Sequence, residues 1–349
     1  MNNWFMAVSV FGIFLAVNAS AGEQGHYAPA PLGVRDDVLP PKGFYAVPYN
    51  VYYHADKVKD SSGDKFDSIA SSGSVTRYVN IGGQSVPVTI TGALSIDLDF
   101  NVHSAVQQPA FLWVTDHQFL GGDYGFLVAP SWGYMSVNVA AQANAAGTIS
   151  VGGISRSFSA GQEVKIKDDK TGLGDLMVRP LWLGWRGEQY DISCNYSAYL
   201  PIGAYDKDDI ANVGMGFASQ VLQASAYYYL TEDKATALLF KPTYEWNSKK
   251  YDKSVQPGQT MTIEYGISQY VHPRVEVAVK GYNQWQITDD SGNAATNKDI
   301  KDSVNGVGGQ LTYWALKEKC AVSAVFVQEY GVKDRLEGMF GSLNVTWIF

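Results

Sequence analysis

The sequence is poor in the ingredients of most soluble enzyme classes. It holds only two cysteines, Cys194 and Cys320, in 349 residues. That excludes a cysteine-rich zinc module and a disulfide-dense scaffold. Two thiols in an exported chain are enough for one bridge. Here the strand phases described below put both on outward faces, far apart in strand order. A bridge needs Cα atoms within about 7 Å, so both thiols read as small apolar residues on an outer surface. The five histidines are His26, His54, His103, His117 and His272. None stands at metal-ligand spacing with another His, Cys or acid on one face. There is no Gly-x-Ser-x-Gly and no phosphate loop. Gly172-Leu173-Gly174 lacks the third glycine and the helix of a dinucleotide fingerprint. No catalytic residue, metal or cofactor is expected.

Charge is scarce as well. Only 17% of residues are charged, and the formal net charge is −8, which argues against a nucleic-acid partner. Long hydrophobic runs are missing too. Phe5 to Val17 is too short to span a membrane comfortably, and no other stretch approaches about 18 apolar residues. Followed by Ala19-Ser20-Ala21, that run reads as a secretory signal over residues 1–21. Its n-region, Met1-Asn2-Asn3, carries only the α-amino charge. An exported chain without a helical span is either soluble outside the cell or crosses a membrane with strands.

Aromatic residues and glycine are abundant: 13% aromatic, 22 Tyr and 35 Gly. That composition suits strands and turns. The last strand carries Met339, Gly341, Leu343, Val345, Trp347 and Phe349 on one face. Phe340, Ser342, Asn344, Thr346 and Ile348 lie on the other, a period of two. A chain that stops on Phe349 in mid-strand suits a closed membrane barrel, whose last strand pairs with its first and whose aromatics sit at the interface. The ending, with Trp347 and Phe349, resembles the terminal-aromatic assembly signal of bacterial outer-membrane barrels; the last strand of a soluble sandwich is the alternative for this strand alone.

The rest of the chain follows the same rhythm. Residues 22–42 form a Pro-rich segment, with Pro29, Pro31, Pro40 and Pro41, that cannot be a helix. It is expected either in the periplasm or inside the barrel as a plug. Residues 43–349 form the barrel. Strands of 11–14 residues alternate apolar and polar positions. Short turns at 186–188, 231–234, 272–273 and 316–319 alternate with longer loops at 56–86, 159–172, 201–213, 247–258 and 288–303. The expected fold is an all-β, antiparallel, up-and-down transmembrane barrel of about fourteen strands. Twelve is the alternative if the 108–158 region holds fewer strands than it suggests.

At this point the chain resembles a known family. The likeness rests on Gly25-His26-Tyr27-Ala28-Pro29, Leu39-Pro40-Pro41-Lys42-Gly43-Phe44-Tyr45 and Gly172-Leu173-Gly174-Asp175-Leu176. It extends to Tyr199-Leu200-Pro201-Ile202-Gly203-Ala204-Tyr205-Asp206 and the terminal strand. These resemble outer-membrane transporters named for the meta-pathway of phenol degradation. The resemblance implies an outer-membrane channel for hydrophobic or aromatic compounds, broadly similar to fatty-acid channels. It carries no defined set of functional residues.

The candidate residues come from strand phase. Asp97, Asp99, Arg179, Asp191, Lys241, Glu245, Glu264, Glu276, Lys280 and Glu329 fall on expected lumen positions. They either line a passage or pair across strands to fill a closed barrel. Pro130, Pro180 and Pro242 lie inside expected strands, where proline removes a ladder bond. They mark local bulges or a break through which an apolar solute leaves sideways. The expected partners are outer-membrane lipid and lipopolysaccharide, the barrel-assembly machinery and a small hydrophobic solute. A structural or adhesive barrel with a closed lumen is the second reading, and an enzyme the third.

Overall fold

A computed structural model describes residues 24–81, 84–151, 154–295, 298–316 and 319–349. The expected leader, residues 1–21, lies outside them. The described residues form fifteen strands. They are β1 (Gly43–Val58), β2 (Ser68–Ile81), β3 (Gln84–Phe119), β4 (Gly122–Ala129), β5 (Trp132–Val151) and β6 (Ile154–Leu173). Then come β7 (Leu176–Arg186), β8 (Tyr190–Leu200), β9 (Ser219–Tyr229), β10 (Thr236–Asn247) and β11 (Thr260–His272). The last four are β12 (Val275–Gln286), β13 (Ser303–Leu316), β14 (Cys320–Lys333) and β15 (Leu336–Ile348). The pairings are antiparallel, and the order runs β1-β15-β14-β13-β12-β11-β10-β9-β8-β7-β4-β3. β3 then pairs back onto β1, from Gly43 opposite Val114 to Ala55 opposite Val102. The barrel is closed with twelve strands, the alternative count. The region of ambiguity explains it. β3 runs for 36 residues without a break, where the sequence suggests two strands.

The closing seam uses the chain's end. Ala46 faces Trp347 across β1/β15. The Phe349 amide donates to the Phe44 carbonyl at 3.2 Å, and the two rings lie 5.4 Å apart. Cys194 and Cys320 are free and half-buried. Connections are short at one end of the barrel, such as Leu120-Gly121 and 187–189. At the other end most are long, at 201–218, 248–259 and 287–302, while β14 and β15 are joined there by the two residues 334–335. Short turns are periplasmic and long loops external in barrels of this kind.

Two stretches differ from expectation. Residues 56–86 and 159–172, polar enough to suggest loops, are strand over most of their length: the end of β1, β2, the start of β3, and β6. β2, β3, β5 and β6 continue as a four-stranded sheet beyond the long-loop rim. In that extension the sidedness of the alternation reverses. On the barrel wall the outward residues are apolar, as at Phe240 (53% exposed), and the inward ones polar, as at Lys241 (1%). In the extension the inward Ile96, Leu98 and Phe100 are buried in one cluster with Val58, Val139 and Ala141. Asp97 and Asp99 are exposed on the outer face and so are not lumen residues. The physical reason is the solvent. The extension stands in water, which reverses the preference a bilayer imposes. Leu98→Ala should therefore destabilise by about 2–5 kcal/mol, whereas Asp97→Ala and Asp99→Ala should stay within about 0.5 kcal/mol. Urea unfolding of the three variants checks the reversal.

The apolar outside and polar inside of the closed wall fit a bilayer and no aqueous setting. An even-stranded, single-chain barrel of this type belongs to the bacterial outer membrane.

Prolines punctuate the wall in three different ways. Pro180 sits on the exposed side of a bulge, where the β7/β8 register slips between Val178 and Leu181. One extra residue changes the facing parity. Arg179 and Trp182 thus both point inward, although they differ in parity, and Leu181 and Leu183 no longer share the phase of Arg179. Pro242 keeps its register with Ile263 of β11. Pro130, with Ser131, separates β4 from β5. Beside that break lies a second one, Gly174-Asp175 between β6 and β7.

Residues 24–42 run through the lumen. Ala30, Val34, Asp37 and Leu39 are buried there. Proline removes amide donors, and the remaining backbone polar groups need partners away from water. Lumen side chains supply them.

Candidate functional site in the lumen

The segment enters at the long-loop end. The amides of His26 and Tyr27 donate to Glu245, at 2.7 and 3.3 Å. A Cβ at Gly25 would collide with that carboxylate, so only glycine lets the chain approach. The His26 ring bridges Ser219 Oγ (2.6 Å) and Asp175 Oδ2 (2.8 Å). This is a Ser–His–Asp line, but it is not built for nucleophilic attack. Ser219 is fully buried and donates its only hydroxyl proton to Asn247 Oδ1 at 2.5 Å. It anchors the segment instead. Asp175 also accepts the amides of Gly203 and Met215, both at 2.8 Å. Burial pushes its carboxyl up, but the His26 ring and those two amides outweigh it and hold the group below the usual carboxylate range. The folded state thus binds this proton less readily than the unfolded chain. The contribution to stability is present above the ordinary carboxylate pKa and is lost as pH falls through the depressed one.

At mid-lumen the segment meets charge. Lys241 lies 2.6 Å from Asp37 and 2.9 Å from Glu264. The Tyr27 hydroxyl also donates to Glu264. Lys280 is 3.8 Å from Glu264 and donates to the carbonyls of Pro29 (3.0 Å) and Leu32 (2.6 Å). Arg179 stands 3.9 Å from Asp37, donates to Ser197, and stacks over Trp182 at 4.6 Å. Towards the short-turn end, Arg35 pairs with Glu276 at 3.0 Å and donates to the carbonyls of Lys234 and Ala235. Pairing of this kind offsets the large cost of desolvating each ion.

Of the ten candidate ionisable residues, Arg179, Lys241, Glu245, Glu264, Glu276 and Lys280 converge on the N-terminal segment. Asp191 lies apart at the short-turn end, bonded to Tyr229 and Lys234. Glu329 lies apart under the long-loop rim, accepting from Tyr282, Tyr53 and the Gly338 amide. Strand phase did not find the other half of the network: His26, Tyr27, Arg35, Asp36 and Asp37. Irregular backbone has no phase, so the available signals were only the charged triplet Arg35-Asp36-Asp37 and the Gly25–Pro29 motif.

The segment is held on one side. Its polar contacts reach β7 to β13 and β15. Among the described residues, no hydrogen bond or ion pair joins 24–39 to β3 or β4. Only Tyr49 reaches it from β1, donating to Asp36 at 3.3 Å. Two cavities lie against the segment and reach that unbonded wall, one of them lined as well by residues of β11 to β15 and by the Arg35–Glu276 pair. The upper one, of about 310 Å³, is lined by Val51, Val106, Ala129, Met177 and Met215 among others. The lower one, of about 350 Å³, is lined by Tyr45, Val47, Leu112, Trp314 and Ile348 among others. Five residues line both and form the waist between them: Asp36, Tyr49, Ala110, Leu127 and Trp182. A larger hollow, of about 720 Å³, lies on the outer wall between Phe240, Tyr265 and Val279 and faces lipid.

An outer membrane channel of Pseudomonas putida F1 is 17% identical, with a TM-score of 0.59, over 91% of this chain and 100% of that one. A FadL homologue of Pseudomonas aeruginosa is 10% identical, with a TM-score of 0.40, over 93% and 99%. OccAB4 of Acinetobacter baumannii is 9% identical, with a TM-score of 0.31, over 88% and 98%. The first of these likenesses shows the fold. Comparison with the curated proteins gives no match. A family model described as "Putative MetA-pathway of phenol degradation" matches residues 50–345, and the chain belongs to that family.

Proposed function

We propose that this protein is a passive outer-membrane channel for small hydrophobic or aromatic molecules. Solute passes between a stationary N-terminal segment and the β1/β3/β4/β7 wall. The observation that carries this reading is the pair of largely apolar cavities between the segment and the β1/β3/β4 wall, to which the segment is barely bonded. Ion pairs to β7, β10 and β12 hold the segment in place, so transport does not require it to leave. A protein of similar fold from Pseudomonas putida F1 is an outer membrane channel, which supports the reading. The terminal strand, with Trp347 and Phe349, would present the barrel to the assembly machinery, and the apolar belt would sit in outer-membrane lipid below lipopolysaccharide.

The sideways exit belongs at Pro130. Ser131 and Asp175 line the upper cavity, and the adjacent breaks at 130–131 and 174–175 are bridged only by Gly174 N–H to the Ser131 carbonyl and Ser131 Oγ to the Asp175 carbonyl, each 3.0 Å. Pro130→Val should restore the ladder and slow hydrophobic uptake several-fold, while Pro180→Val and Pro242→Val, away from the cavity, should not. Equal uptake in all three variants would remove the lateral route.

The channel itself is tested by uptake of a radiolabelled aromatic acid or fatty acid by cells with and without the protein, alongside single-channel conductance. Protein-dependent uptake with little ionic conductance is expected. Conductance without uptake would indicate a polar porin. Neither signal would favour the second reading, a structural barrel with a closed lumen, for which the ion network filling half the interior already speaks.

A further inference from the structure

The waist between the two cavities is chemically uneven. Ala110 and Leu127 are apolar, and the Trp182 ring gives an aromatic face. Asp36 is the one charged residue of the five. Its Oδ2 accepts from the Gly33 amide at 2.8 Å and from Tyr49 at 3.3 Å. Among the described residues no ion pair joins Asp36 to a cation, unlike its neighbour Asp37. Lys241 and Lys280 line neither cavity. The Trp182 indole N–H is buried and has no hydrogen-bond partner. A buried donor without a partner is costly, and here it lies where the two cavities adjoin.

The geometry points to a hydroxyl-recognition site at this waist, formed by Asp36, Tyr49 and Trp182, for an uncharged hydrophobic molecule bearing one hydroxyl. The inference rests on the channel reading and names the solute class for that path. A hydroxyl both donates and accepts. Its proton replaces the long Tyr49 bond on Asp36, and its oxygen takes the indole N–H of Trp182. The ring or chain then lies against Ala110, Leu127 and the indole. A carboxylate has no proton to give to Asp36, with which no cation is paired among the described residues. A bare hydrocarbon leaves the Trp182 indole N–H unpaired. Sites built to bond a hydroxyl reject analogues that lack it far more strongly than apolar pockets reject a missing methylene.

Three probes with one ring system test this: 2-naphthol, naphthalene and 2-naphthoate. Binding to the purified full barrel and uptake by cells with and without the protein are both measured. Naphthol should bind at least about tenfold more tightly than either relative, since a hydrogen bond to a charged group is worth about 1.5–3 kcal/mol. Trp182→Phe should reduce that preference, and Asp36→Asn should also raise naphthoate binding several-fold. Ala110→Trp, which removes no polar group, should block all three probes while the barrel stays folded by its heat-modifiable mobility on gels. Equal binding of naphthol and naphthalene to the unaltered protein would overturn the inference. So would a preference that survives both Asp36→Asn and Trp182→Phe. If all three probes enter equally in a protein-dependent way, the hydroxyl site alone fails. If none binds or enters, the channel reading fails with it.

Discussion

Lys241→Met is expected to be the most damaging single substitution, at about 3–5 kcal/mol. Lys241 is 1% exposed and lies within 3 Å of two carboxylates, Asp37 and Glu264. Removing the cation leaves both acids buried, and Asp37 keeps only Arg179, 3.9 Å away. A methionine fills the space but supplies no charge. The loss should appear in urea unfolding of the reconstituted barrel. It should also appear as faster protease cleavage within residues 24–42, because the same lysine ties that segment to β10. Conversely, Glu163→Ala on the exposed face of β6 should change little. A loss below about 1 kcal/mol for Lys241→Met would mean that water reaches the site and screens it.

Deleting residues 24–38 should have the largest functional effect. The segment fills the lumen half that faces β7 to β13, and its removal leaves the inward polar residues facing an open, wet passage. Steady ionic conductance should replace the low conductance expected of the intact protein. Glu245 loses the His26 and Tyr27 amides, and Glu276 loses Arg35, so the pore should favour cations. Discrimination among hydrophobic solutes should vanish, since both cavities lose their inner wall. A folded deletion variant that stays silent would mean that the long loops, not the segment, close the barrel.

How much of this was legible in the sequence depends on how each feature is encoded. Period-two alternation is local, so it exposed the terminal strand, the barrel class and the inward phase of Lys241, Glu264 and Lys280. The same alternation misplaced Asp97 and Asp99. Their strand has the right period, but which face is buried depends on whether lipid or water lies outside, and no residue of β3 states that. The loop assignment at 159–172 failed for a related reason. Glu163, Lys165, Lys167 and Asp169 alternate with Val164, Ile166 and Asp168, and such a pattern is a good strand only when β5 is there to pair with it. Arg179 shared its parity with Leu181, Leu183 and Trp185 until the bulge at Pro180 reset the phase.

The sequence alone determined that the chain forms closed, membrane-type strands, that the strand over 337–349 pairs at the seam, and that the Pro-rich segment before β1 is not a helix. These follow from side-chain periodicity, chain-end chemistry and the geometry of proline, each set within a few residues. Only the tertiary structure decided that the Pro-rich segment lies inside the lumen, that twelve strands close while others extend into water, and that Glu264 of β11 meets Lys241 of β10 while Glu276 of β12 meets Arg35 of the segment. Those outcomes depend on contacts between residues up to hundreds of positions apart, such as Asp37 with Lys241 and Pro31 with Ser342. Closure of the barrel brings such groups together, and local pattern carries no record of it.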